Sequence, residues 1–225
     1  MNLEETYAKK HKIGLEKIKR ENEFIDENLN NNNDTRRGIA LLIRPSEEVL
    51  KNIQNKANEL KKIDSSLYVY SQDCLHITLY SFIKQTEDFT YEHEQHELYS
   101  RISKEALSCF KSFKINCKGL MFTDKTVLVK GFPEDTMQQI KQKIRETLNR
   151  YNISNNEPYK DDMYHLSLAR FKSRIVNREK LIKFVEENYN NDFGSFDVSE
   201  VELIYHDWYD TKREVLGKIS LLNNI

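Results

Sequence analysis

The sequence predicts an α+β fold: one bilobal, internally duplicated domain in which two antiparallel sheets face a central cleft with helices outside. Three observations predict it. Two five-residue segments, Leu75-His76-Ile77-Thr78-Leu79 and Tyr164-His165-Leu166-Ser167-Leu168, alternate polar and apolar side chains with period 2, the mark of a half-buried strand. Each is preceded by the same order of features: an apolar strand, a proline with acidic residues, then an amphipathic stretch. The interval matches too, with 31 positions from Pro45 to His76 and 32 from Pro133 to His165. A lone His-x-Ser/Thr carries little weight, since roughly 0.7 of them are expected by accident in a chain with 6 histidines. The matched surroundings make the pair read as a duplication of a strand, helix, His-strand unit.

The elements follow in order. Residues 1–29 are highly charged, and Leu3, Tyr7, Ile18, Phe24, Ile25 and Leu29 fall partly on one helical face, so an N-terminal helix is expected. The polar run 28–34 is too poor in apolar groups to pack and reads as a linker. Residues 1–36 are therefore set apart as a helical extension with an Asn-rich linker, and 37–225 form the main domain. The extension has two readings: folded back on the body to cap a cleft, or standing in solvent.

A strand is expected at 38–44, then a helix at 46–62 opened by Pro45-Ser46-Glu47. Proline sacrifices no hydrogen bond in a first helical turn, and acidic residues suit the positive end of the helix. A short strand at 67–70 and the first His-strand at 75–82 follow. Next come a helix at 94–111, strands at 113–122 and 125–131, and a helix at 134–150 opened by Pro133-Glu134-Asp135. The second His-strand is placed at 163–171, a helix at 178–189, and a terminal strand pair at 197–208 and 213–222. Helices mixed with hairpin-like strand pairs favour α+β over a doubly wound parallel sheet.

Composition narrows the partners. The chain has 225 residues, and its formal net charge is −1. No overall attraction to long double-stranded nucleic acid follows from that balance, so a nucleotide or short oligonucleotide is the more natural phosphate-bearing partner. Cys74, Cys109 and Cys117 lie far apart with no C-x-x-C, which suits free thiols in a reducing compartment. The N-terminus is charged from Glu4 onward and no apolar run approaches bilayer length. A soluble, cytoplasmic monomer without membrane contact is expected.

His76 and His165, each two residues ahead of a hydroxyl on a strand, suit an acid and base pair with Thr78 and Ser167 as hydrogen-bond donors to an anion. The two His-x-Ser/Thr strands, 89 positions apart, resemble the signature of the two-histidine (2H) phosphoesterase superfamily, which includes 2′-5′ RNA ligase-like and cyclic nucleotide phosphodiesterase families. The resemblance covers residues 37–222 and takes in Val201-Glu202-Leu203-Ile204-Tyr205 and Val215-Leu216-Gly217-Lys218-Ile219, which look like the closing hairpin of that family. It implies the duplicated α+β fold and a metal-independent phosphodiesterase with no cofactor. It also implies His76 and His165 as catalytic residues, with Thr78 and Ser167 on non-bridging phosphate oxygens. Substrates within the family include 2′,3′-cyclic phosphates and 2′-5′ or 3′-5′ RNA linkages. The motif does not choose among them, and by family analogy His165 is assigned as base and His76 as acid.

Three further residues are candidate substrate contacts. Tyr80 continues the period of His76 and Thr78 and is placed to meet a base or sugar, against an alternative role in packing. Arg170, like Arg44, suits a phosphate if it is not simply a solvated charge. Trp208, within His206-Asp207-Trp208-Tyr209 at the tip of the terminal hairpin, suits stacking on a nucleobase.

Other chemistries lack their motifs. His93 and His96 lie three apart beside carboxylates, one residue short of His-Glu-x-x-His, so the segment reads as a charged helix start and no metal site is assigned. Neither a Gly-rich phosphate loop nor a Gly-x-Ser-x-Gly elbow is present. The serious alternative is a non-catalytic module that uses the same cleft to bind a nucleotide or RNA end. Retention of both histidines and both hydroxyls argues against it, because phosphate recognition alone is served by Arg, Lys or backbone N–H groups.

Overall fold

The computed structural model describes residues 2–154 and 163–223; residues 155–162 and 224–225 of the expected 37–225 span lie outside these. In chain order the elements are α1 (Leu3–Lys19), β1 (Arg37–Ile43), α2 (Glu47–Ile63), β2 (Leu67–Val69), β3 (Ile77–Thr86), α3 (His93–Leu107) and β4 (Phe113–Phe122). They continue with β5 (Thr126–Pro133), α4 (Thr136–Arg150), β6 (Tyr164–Phe171), α5 (Arg178–Glu187), β7 (Asp192–Val198), β8 (Glu200–His206) and β9 (Arg213–Ser220). Two antiparallel sheets result, β3-β1-β8-β9 and β2-β6-β5-β4-β7. The fold is α+β, with each His-strand beside the strand that opens its own half.

The helices do not stay with their own sheets. The apolar stripe of α2, Val49, Ile53, Ala57 and Leu60, recurs at helical spacing, yet α2 packs on β2, β7 and α5 of the other sheet. Reciprocally α4, through Met137, Ile140, Ile144 and Leu148, packs with α3 against β3. This exchange interlocks the two halves around one core running from Ile18 to Leu221.

Three expectations need correction. The N-terminal helix ends at Lys19 instead of running toward 29, because Glu21 turns left-handed (φ 58°) and the Asn22 amide closes back on the Lys17 carbonyl. Phe24 and Ile25 lie beyond it. The helix expected over 94–111 stops at Leu107. The terminal strand expected over 197–208 is two strands in different sheets: β7 edges one sheet, and after Ser199 the chain enters the other as β8. Gly194 (φ 97°) breaks the alternation of β7, leaving its buried phenylalanines three apart at Phe193 and Phe196.

The extension folds back on the body. Gly14 lets α1 approach β4 so closely that a Cβ there would meet the Phe122 carbonyl at 2.7 Å. Tyr7, fully buried with Met121 and Leu128, sends its hydroxyl between β5 and β6, to the Gly131 and Tyr164 carbonyls (both 2.6 Å) and the Tyr164 amide (3.1 Å). Among the described residues no helix is long and apolar enough to cross a membrane.

Candidate active site

Register places both motifs on equivalent faces. Thr78 is opposite Leu42 on β1, and Ser167 is opposite Leu128 on β5. Immediately afterwards each His-strand carries a bulge. Tyr80 pairs with Leu41 although Thr78 pairs with Leu42, leaving Leu79 as the extra residue; Ala169 pairs with Val127 although Ser167 pairs with Leu128, leaving Leu168 extra. The bulges turn Leu79, Tyr80, Leu168 and Ala169 into the core, each 2% exposed or less.

Two candidates exchange fortunes as a result. Tyr80, an even number of residues after His76, is not brought to the site. It packs on Phe82 (ring centroids 5.1 Å) and lines a recess with Tyr99 and Leu148. Arg170, an odd number after His165, would point away on a regular strand, but the bulge restores it to the histidine face. It is only 12% exposed: Nε donates to Tyr70 Oη (2.7 Å) and a terminal nitrogen lies 3.5 Å from Asp26.

The turn between β8 and β9 reaches across to this arginine. The Trp208 ring lies 5.7 Å from the Arg170 guanidinium and 5.6 Å from that of Arg36, and Tyr209 is within 6.0 Å of both. Tyr68, half-buried, adds its ring 6.0 Å from Tyr209 and 5.2 Å from Tyr70. A wall of aromatic faces and guanidinium planes therefore joins the two sheets. Tyr209 Oη donates to Asp26, so the extension braces the wall from behind.

The imidazoles are oriented from their Nδ1 side. His76 Nδ1 is 2.9 Å from the Cys74 carbonyl, which can only accept, so Nδ1 carries the hydrogen and Nε2 of the neutral ring is left as a base. The Met163 carbonyl holds the corresponding place for His165 and favours its charged form, but the contact falls short of a formed hydrogen bond and Nδ1 is left without one. Burial pushes both rings down, His76 to about 3 and His165 to about 4. At neutral pH the unliganded site holds both rings uncharged.

Sequence reasoning missed the polar support. Asp210, fully buried, accepts from Arg44 (2.6 Å), pairs with His206 Nδ1 (3.2 Å), meets Arg213 (3.4 Å) and lies 3.6 Å from His76 Nδ1. Arg44 also holds Glu202 (2.9 Å), so it is a structural cation. Lys130, opposite His165 in register, is fully buried under α1 with Nζ 3.7 Å from the Tyr189 ring and 3.7 Å from Glu4. Burial lowers its pKa. Near the expected charged helix start, His96 Nε2 bonds the Leu216 carbonyl (2.8 Å) and His93 lies beside Glu97 at the surface.

Comparison with known proteins agrees with this architecture. The protein TT0787 of Thermus thermophilus superposes with TM-score 0.61 at 16% identity, over 84% of this chain and 100% of that one. E. coli LigT in its apo form gives 0.56 at 14% identity over 83% of this chain and 98% of LigT, and LigT complexed with 3′-AMP gives 0.58 at 16% over the same shares. At such identities the likeness is one of fold. No curated protein matches the chain in sequence. The model of the 2′-5′ RNA ligase superfamily matches residues 49–210, a stretch that contains both histidine strands and the turn bearing Trp208. Spanning well over half of the sequence, that match settles the family: the chain belongs to the 2′-5′ RNA ligase superfamily.

Proposed function

We propose that the protein is a phosphodiesterase acting on RNA-type phosphodiesters or cyclic nucleotide phosphates, with 2′,3′-cyclic phosphates and 2′-5′ linkages as the substrate classes, by metal-independent two-histidine acid–base catalysis. Family membership supports phosphoesterase activity in general. The observation that carries the finer reading is that each sheet presents one histidine and one hydroxyl on the same face, ended by the same bulge. One imidazole takes the proton of the attacking water or ribose hydroxyl as the new P–O bond forms. The other gives a proton to the departing ribose oxygen as the old bond breaks. Thr78 and Ser167 donate to the equatorial oxygens as charge redistributes.

Because burial leaves both free imidazoles neutral, the one proton this chemistry needs is drawn in by the substrate itself: the phosphodiester anion supplies the countercharge that raises the imidazole beside it. The aromatic and guanidinium wall suits a single base or sugar, and E. coli LigT, which shares the fold, has been solved with 3′-AMP. A panel of 2′,3′-cyclic mononucleotides, 2′-5′ and 3′-5′ oligonucleotides and cyclic dinucleotides, assayed with a chelator present, tests this reading. Turnover of at least one class is expected, unchanged by chelation and reduced at least ~10²-fold in His76→Ala and in His165→Ala, with melting temperatures near wild type. Near-wild-type rates in either variant sink the assignment, and binding without turnover points to a recognition module.

A further inference from the structure

The second sheet is covered on the same face that carries its histidine. Directly opposed residues of an antiparallel pair point to one side, and the β5 residues opposite His165, Ser167 and Arg170 are Lys130, Leu128 and Thr126. None of these three is more than 5% exposed, whereas His165, Ser167 and Arg170 keep part of their surface open. Gly131, next to Lys130, marks the opposite side: a Cβ there would meet Ile77 Cδ1 of the main core at 3.3 Å.

The cover is the N-terminal extension. Leu128 on β5 and Met121 opposite it on β4 are buried with Tyr7 in a small apolar cluster separate from the main core, with Leu3 and Phe132 packed against it. Gly14 seats α1 along β4, and His11 Nδ1 adds a bond from the Phe122 amide (3.0 Å). From that seat Tyr7 reaches over β5 to the main chain of Gly131 and Tyr164. Glu4, 3.7 Å from Lys130 Nζ, holds the cation that stands opposite His165. The chain then returns along the far end of β6, where the Asp26 amide bonds the Phe171 carbonyl (2.8 Å). The β2 flank differs in kind: Tyr68, opposite Arg170, and Trp208, whose ring lies 5.7 Å from that guanidinium, present partly exposed aromatic faces.

We propose that α1 is a specificity element, covering β4 and β5 so that the cleft holds a nucleoside on one side of the phosphate only, the side of Tyr68 and Trp208. The inference rests on the phosphodiesterase reading and selects among its substrate classes. A 2′-5′ or 3′-5′ linkage puts a nucleoside on each side of phosphorus, and the one continuing past Ser167 meets Tyr7 and α1. A 2′,3′-cyclic phosphate carries both ester oxygens on one ribose. Water adds to phosphorus, one ribose oxygen leaves with its electron pair and takes a proton, and the product is a phosphomonoester of the same nucleoside. No second nucleoside needs a place. Because α1 precedes the residues 49–210 matched by the superfamily, the restriction belongs to this chain's own extension.

The test is the ratio of kcat/KM for a 2′,3′-cyclic mononucleotide to that for the 2′-5′ and 3′-5′ dinucleotides of the same nucleoside. In wild type the ratio is expected to exceed about 10². In Gly14→Ala, whose new Cβ unseats α1, it is expected to fall by about tenfold or more as the dinucleotides gain on the cyclic substrate. A helix that only supports the fold or the histidine would lower all three rates together and leave the ratio where it was. That result, or a wild type that handles a dinucleotide as well as the cyclic substrate, overturns the proposal. Should Gly14→Ala fail to fold, or limited proteolysis find α1 still seated, Leu3→Ala, which strips a side chain from the cluster under the helix, must narrow the ratio in smaller measure, or the proposal fails. A wild-type protein inactive on all three substrates removes the phosphodiesterase reading itself, a distinct result.

Discussion

Thr78 is exposed and Ser167 half-exposed, so neither hydroxyl contributes much to packing and both are free to be judged by chemistry alone. Thr78→Val and Ser167→Ala are each expected to lower kcat by about 10²- to 10³-fold, the usual cost of one donor to a charged transition state, with melting temperatures unchanged. Steady-state rates beside thermal melts check this, and a loss confined to stability contradicts it. The four motif residues were legible because the strand period holds from each histidine to its hydroxyl. One residue later it fails: the bulges reverse parity, so Tyr80, which fits the period, leaves the site while Arg170, which breaks it, stays. Asp210 was invisible for another reason. Its partners Arg44, His76 and His206 come from three separate strand ends, and no local spacing announces such a meeting.

At the scale of elements, α1 is the part least readable in advance. Its inward stripe is Tyr7, His11, Gly14 and Ile18, so two of four contact positions are not apolar residues, while Ile13 points outward at 50% exposure. Hydrophobic periodicity is blind to contacts made by a ring nitrogen, His11 Nδ1 accepting from the Phe122 amide at 3.0 Å, and by a missing side chain. Gly14→Ala is expected to unseat the helix, because its Cβ would meet main-chain atoms of Phe122 and Thr123 at 2.7 Å. Limited proteolysis near the N-terminus should report the release. Tyr7→Phe leaves the Tyr164 amide and two carbonyls without their hydroxyl partner, at a cost of about 1–3 kcal/mol in denaturant titration. Since Tyr164 directly precedes His165, kcat should fall as well, and an unaffected kcat would show that α1 does not help set the histidine.

The whole molecule carries its site at a cost that pH reveals. His76 and His165 have folded pKa values pushed well below 6.5, so between about pH 6.5 and 4 the unfolded chain binds protons that the native site refuses. Stability must therefore decline as pH falls through that window, by up to roughly 3 kcal/mol for His165. The Asp210 carboxyl, held at about 2 against an ordinary 3.8 by His206, His76 and Arg44 despite its burial, contributes stability that is complete above its unfolded value and lost as pH falls toward 2. Melting temperature against pH should flatten between 6.5 and 4 in His165→Asn. An equal slope in wild type and variant would contradict the linkage. The α+β class and the duplication were readable from the matched proline-to-histidine intervals, but the exchange of α2 and α4 between sheets was not. An apolar stripe says that a helix is covered, not which sheet covers it.

The bulges also bear on how the protein keeps to itself. β3 lies at the edge of its sheet, a long strand whose outer amides and carbonyls would otherwise invite a second chain to add on. Its pairing with β1 slips at Leu79, again at Phe82 and once more before Thr86, so its hydrogen-bonding rim is kinked along its length. A smooth strand would have been simpler to build and easier for another molecule to extend. Removing Leu79 would leave Tyr80 opposite Leu41 on the core face while straightening a sticky rim, so the expected result is a protein that loses the packing of Leu79 and assembles into aggregates.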